Sequence, residues 1–93
     1  MGYATDTTPP TAPTGLKVGA AGAGRVTLTW TPSTDAGSGV DCYKIYRGGR
    51  PVGLSIDPTW TGPAPAHASK RFEVVAVDRA ELSSPRSAPA TSR

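Results

Sequence analysis

The chain has 93 residues, 37% of them hydrophobic, with Gly 11, Pro 10 and a net charge of +3. That length holds one domain with one modest core, and no run approaches the roughly 18 apolar residues that a membrane-spanning helix needs. The 10 Lys and Arg residues are scattered, with only Arg47/Arg50 and Lys70/Arg71 close together; nucleic acid, which wants a basic stripe, is not an expected partner.

Residues 1–11 read Met-Gly-Tyr-Ala-Thr-Asp-Thr-Thr-Pro-Pro-Thr. Thr/Pro-rich sequence favours extended polyproline conformations. It reads as a linker, which implies a neighbouring domain upstream. Met1-Gly2 followed by polar residues reads as the start of an excised segment with no signal peptide. The folded domain is then 12–93.

A first strand is expected over 14–19, with Leu16 and Val18 on one face. Pro13 before it suits an edge, since proline cannot donate to a ladder. Residues 20–24, Ala-Ala-Gly-Ala-Gly, make a turn. Arg25-Val-Thr-Leu-Thr-Trp-Thr31 alternates with period 2, which places Val26, Leu28 and Trp30 inward and the threonines outward. A Pro/Ser/Thr/Asp/Gly loop over 32–39 leads to a strand over 40–47. Gly48-Gly49 suits a tight hairpin because glycine tolerates positive φ, and 50–55 returns with Val52 and Leu54. Thr59-Trp60-Thr61 is a brief strand, 62–69 a connection, 70–78 a strand, 79–86 a turn and 87–91 a weak last strand. Short strands with turn signals every 8–12 residues are the signature of an all-β, two-sheet antiparallel β-sandwich. There is no helix signal and no internal repeat.

The chemistry-bearing residues do not assemble into a site. Cys42 is the only cysteine, so no internal disulfide is available, and it reads as a half-buried strand residue. A catalytic thiol needs a positioned histidine, and the only one, His67, falls in an Ala/Pro-rich loop. Asp35, Asp41, Asp57 and Asp78 are separated singles without calcium-ligand spacing. No nucleophile elbow or triad signature is present. No catalytic residue, metal or cofactor is expected.

Taken in order, these segments resemble a fibronectin type III domain. The resemblance rests on Pro10-Thr-Ala-Pro-Thr-Gly-Leu-Lys-Val18, Val26-x-Leu-x-Trp30, Tyr43-Lys-Ile-Tyr-Arg-Gly-Gly49, Phe72-x-Val-x-Ala-Val-Asp78 and Ser84-Pro-x-Ser-Ala-Pro89. It implies an immunoglobulin-like sandwich of about seven strands. The Ala/Gly/Pro/Thr-rich flavour resembles such domains in secreted bacterial glycoside hydrolases, where they separate or assist catalytic and carbohydrate-binding domains. Three positions depart from the family pattern. Lys70 stands where a tyrosine usually bonds back across a corner. Ala64 or Pro65 replaces a leucine. Arg79-Ala-Glu-Leu82 replaces a turn carrying Gly-Asn.

By the family's register, Phe72, Val74 and Ala76 point inward and Val75 and Val77 outward; Tyr43 and Ile45 likewise point in, and Cys42, Lys44 and Tyr46 out. Tyr46, Val75, Val77 and Cys42 would then form an apolar patch, a candidate partner surface weighed against ordinary exposed apolar area. Trp60 is a candidate for stacking on a sugar ring, weighed against a core-capping role. The resemblance implies a non-catalytic spacer or accessory module of a secreted, chitinase- or cellulase-like enzyme. It would be extracellular and monomeric, with neighbouring domains as partners and at most weak contact with polysaccharide. The alternative is an adhesion or protein-interaction module using the outer face of the sheet that holds residues 40–47 and 70–78.

Overall fold

The computed structural model describes residues 9–22, 24–34, 39–64 and 70–91. The expectations for Asp35, Pro65, His67 and residues 1–8 of the linker lie outside them.

The seven strands are β1 (Thr14–Ala20), β2 (Arg25–Thr31), β3 (Val40–Arg47), β4 (Arg50–Ser55), β5 (Thr59–Pro63), β6 (Arg71–Asp78) and β7 (Ala90–Thr91). They form a three-stranded sheet, β1-β2-β5, and a four-stranded sheet, β4-β3-β6-β7. Every pairing is antiparallel. This is a two-sheet β-sandwich. The tight β3–β4 hairpin follows from Gly48 at φ 59 and Gly49 at φ 85, two successive positive values that any side chain would resist.

The core is built by period-2 alternation on both sheets. From β2 come Val26, Leu28 and Trp30; from β3 and β6 come Tyr43, Ile45, Phe72, Val74 and Ala76. All are buried, and the intervening Thr29 and Arg25 are exposed. Trp30 meets Tyr43 across the sheets edge to face, with centroids 5.2 Å apart and planes at 67°. The Tyr43 hydroxyl accepts a hydrogen bond from the Ser33 amide at 3.1 Å, so its polar end is not stranded in the interior.

Trp60 completes the core at its open side. It pairs with Leu28 and so faces inward. A Cβ on Gly62 would fall 2.2 Å from the indole, and one on Gly53 of β4 would fall 2.3 Å from Trp60 Nε1. The ring therefore lies over one glycine of its own strand and against one of the opposite sheet. It wedges shut the side of the sandwich where β4 and β5 are the edges.

Several stretches differ from the sequence reading. Residues 9–11, expected to be linker, are anchored: Pro10 is buried, Thr11 N donates to Thr34 O at 2.9 Å, and Thr34 N donates to Thr11 Oγ1 at 2.9 Å. The final strand is only two residues long, because Pro85 and Pro89 cannot donate to a ladder. Serine hydroxyls take over along residues 83–89. Ser84 N donates to Ala76 O at 2.8 Å and Ser87 N to Val74 O at 2.9 Å. In return, Ala76 N and Val74 N each donate to the corresponding Ser84 and Ser87 Oγ at 2.9 Å. Beyond β6, the 1% exposed Asp78 organises the turn. Its Oδ1 accepts from Ala80 N at 2.9 Å and Leu82 N at 2.8 Å. Glu81 sits at φ 67, a left-handed conformation that costs an L-residue roughly 1–2 kcal/mol and that the carboxylate's bonds offset.

Two expectations follow. Trp30→Ala should cost about 3–5 kcal/mol, and a urea midpoint shift worth under about 1 kcal/mol would refute a central role for Trp30. Ser87→Ala removes few contacts but strands the buried Val74 amide. It should cost about 1–3 kcal/mol, with faster hydrogen exchange at Val74 than in the wild type.

Candidate functional site

The outer face of the four-stranded sheet is laid out by its register. Cys42 lies opposite Val77, Lys44 opposite Val75, and Tyr46 opposite Glu73. On the other flank, Leu54 lies opposite Lys44 and Pro51 opposite Tyr46. The residues proposed as a patch are thus brought onto one face.

They do not make the bare apolar surface expected of them. Val75 is 5% exposed. It is a short side chain on an inner strand, with the longer Lys44 opposite, Tyr46 diagonal to it and Glu73 two residues away on its own strand, close enough to cover it. Val77, Cys42 and Tyr46 are half-buried. The Arg86 guanidinium lies 4.7 Å from the Tyr46 ring centroid, and its Nη1 is 3.3 Å from Glu73 Oε1. Arg71 Nη2 approaches Glu73 Oε2 at 3.7 Å. One face of Tyr46 is therefore occupied by a cation, an arrangement worth about 0.5–1 kcal/mol at an exposed site. Such a ring is poorly placed to stack on a sugar.

Trp60 is half-buried with its indole turned into the sandwich, so the flat face that stacking requires is spent on Gly53 and Gly62. Burial pushes the Cys42 thiol up from its ordinary value; Asp41 adds to the shift and Lys44 opposes it. The thiolate is correspondingly scarce near neutral pH, and with it the nucleophile.

Among the described residues, the exposed large apolar side chains are Leu54 at 65% and Ile56 at 80%. The sequence reading grouped Leu54 with Val52 as the pattern of one strand and passed over Ile56. A bulge opposite Ile45 and Tyr46 separates them, so Val52 packs against the core while Leu54 faces out. Ile56 rides on a tight turn. There Ser55 Oγ donates to Thr59 O at 2.7 Å and accepts from Asp57 N at 3.1 Å. Among the described residues, no group of three or more His, Cys, Asp or Glu gathers where an ion could sit.

At the end of the sandwich beside the β1–β2 turn there is a groove of about 620 Å³. Its walls are small residues and valines, and Arg25 and Lys70 also line it. Lys70, where the chain departs from the family pattern, and Ala64, one of two candidates for a second departure, both line this groove.

No family model matches the chain. Exoglucanase A of Cellulomonas fimi is 42% identical over 96 aligned positions, spanning 99% of this chain and 11% of that protein. Exoglucanase B of the same organism is 43% identical over 56 residues, 60% of this chain and 5% of that protein. Among solved structures, chitinase ChiA74 from Bacillus thuringiensis superposes with TM-score 0.77 at 27% identity, covering 95% of this chain and 14% of that one. Titin domains A168–A170 give 0.65 at 26%, with 89% and 32% covered. The spore cortex lytic enzyme SleM of Clostridium perfringens, at 17% identity and TM-score 0.73, shares the fold. The chain thus spans about a tenth or less of the exoglucanases it matches. It is homologous to a domain of these Cellulomonas exoglucanases and shares its β-sandwich with a domain of a bacterial chitinase.

Proposed function

We propose that this chain is a non-catalytic spacer or accessory module of a secreted bacterial polysaccharide-degrading enzyme. One observation carries the reading: nearly the whole chain aligns with a segment that makes up only 11% of an exoglucanase. The geometry supports it by subtraction. Hydrolysis of a glycosidic bond needs two carboxylates flanking it in a cleft. Here the groove is lined by cations, Asp78 is committed to a turn, and Glu73 is paired with Arg71 and Arg86. A stiff sandwich working outside the cell as a monomer would set the distance and relative orientation of the domains on either side of it.

A second reading, a protein-interaction module using the outer face of the β3–β6 sheet, is favoured by the exposed Leu54 on that face. It predicts that a flanking domain added in trans binds the chain and that Leu54→Lys abolishes this.

The spacer reading is tested by mixing the purified chain with insoluble cellulose and chitin. The chain should stay in the supernatant. Trp60→Ala should leave that result unchanged while lowering stability by about 2–3 kcal/mol, less than a fully buried tryptophan would. Tight capture that Trp60→Ala abolishes, with a cooperative thermal transition retained, would make the chain a carbohydrate-binding module.

A further inference from the structure

The spacer role does not use the groove beside the β1–β2 turn. Its walls are held by backbone bonds. Arg25 N donates to Gly22 O at 3.1 Å, Ala21 N to Arg25 O at 3.2 Å, and Ala64 N to Gly24 O at 2.7 Å. This ties the β1–β2 turn to the end of β5. The space is open because the wall residues are small. A Cβ placed on Gly22 or Gly24 would meet nothing within 4 Å. Both glycines have positive φ, 118° and 71°, so the turn itself resists larger residues there.

The lining sets the chemistry of what would fit. Val18, Val26 and Ala64 supply an apolar wall; Arg25 and Lys70 supply two cations. No carboxylate is among the lining residues described. Neither is there an aromatic ring to stack on. A neutral sugar would find few fixed partners. A carboxylate finds a guanidinium able to bind it with two parallel bonds, and an ammonium also lines the groove. The sugar ring that carries it can lie along the half-buried Val18 and Ala64. At about 620 Å³ the space lies within the range of small-molecule sites.

We propose that this groove binds an acidic saccharide, a short unit carrying uronic acid carboxylates, through Arg25 and Lys70. The saccharide class rests on the function proposed above; the negative charge rests on the groove alone. The chain would then contact acidic polymer segments while ignoring neutral ones.

The test is an NMR titration of the 15N-labelled 93-residue chain with digalacturonate, at neutral pH and physiological salt. Parallel titrations use cellobiose and inorganic phosphate. Digalacturonate should shift amides around the groove, from residues 18–20, 22, 24–26, Ala64, Lys70 and Thr91. Cellobiose should shift none, and phosphate should bind at least tenfold more weakly. Lys70→Gln and Arg25→Gln should each weaken digalacturonate binding roughly tenfold, the value of one charge-assisted hydrogen bond. Lys70 is exposed, so its variant keeps the fold and decides the matter if Arg25→Gln is unstable. The proposal is overturned by any of three results: no groove shifts at millimolar digalacturonate, equal shifts from cellobiose or phosphate, or undiminished binding in Lys70→Gln. None of these touches the spacer reading, which is decided on neutral cellulose and chitin.

Discussion

The two sheets of this sandwich are joined at the edge-to-face contact between Trp30 and Tyr43. In a domain this small there is no second core to fall back on. The contact places a large ring of one sheet against a large ring of the other, and the rest is arranged around it. Ser33 satisfies the Tyr43 hydroxyl. Phe72, Leu28 and Ile45 are fully buried, each contributing about 1.5–3 kcal/mol on burial. Trp60 repeats the device at the side. There the two glycines, Gly53 and Gly62, make room for a ring that would otherwise force the sheets apart.

The inward register of β2, β3 and β6 was legible because a strand with one buried face must alternate, and a slip of one residue would expose Trp30 and bury the threonines. What could not be read was anything that depends on neighbours across the sheet. Val75 and Val77 have the same parity, yet Val75 is buried and Val77 only half-buried; the difference lies in longer side chains opposite. Val52 and Leu54 also share parity, but the bulge between them sends one in and the other out. The short β7 was foreshadowed by its prolines. The serine hydroxyls that replace its ladder were not, because a serine that completes a strand edge looks like any loop serine until its partner amide is seen.

The candidate surface was partly legible. Its residues do share a face, as alternation required. Their chemistry was changed by Arg86, which lies 40 positions from Tyr46 and carries no signal of the contact. Trp60 was weighed as a platform against a core cap, with the cap the heavier reading. The glycines at 53 and 62 carried a clue that went unused, since a glycine within a strand often marks where something large comes close. The groove was invisible as a space, although Lys70 had already stood out as a departure from the family pattern.

The serine-completed edge has a consequence for a protein that strings similar domains along one chain. Such tethering raises local concentration, and exposed strand edges are where tethered neighbours exchange strands or stack into aggregates. On this flank, the Val74 and Ala76 amides are already satisfied by side-chain oxygens, and Pro85 and Pro89 have no amide to give. A neighbouring strand arriving there would find a broken row of donors instead of a template. The edge that is poorest as regular structure is for that reason a poor template for an incoming strand.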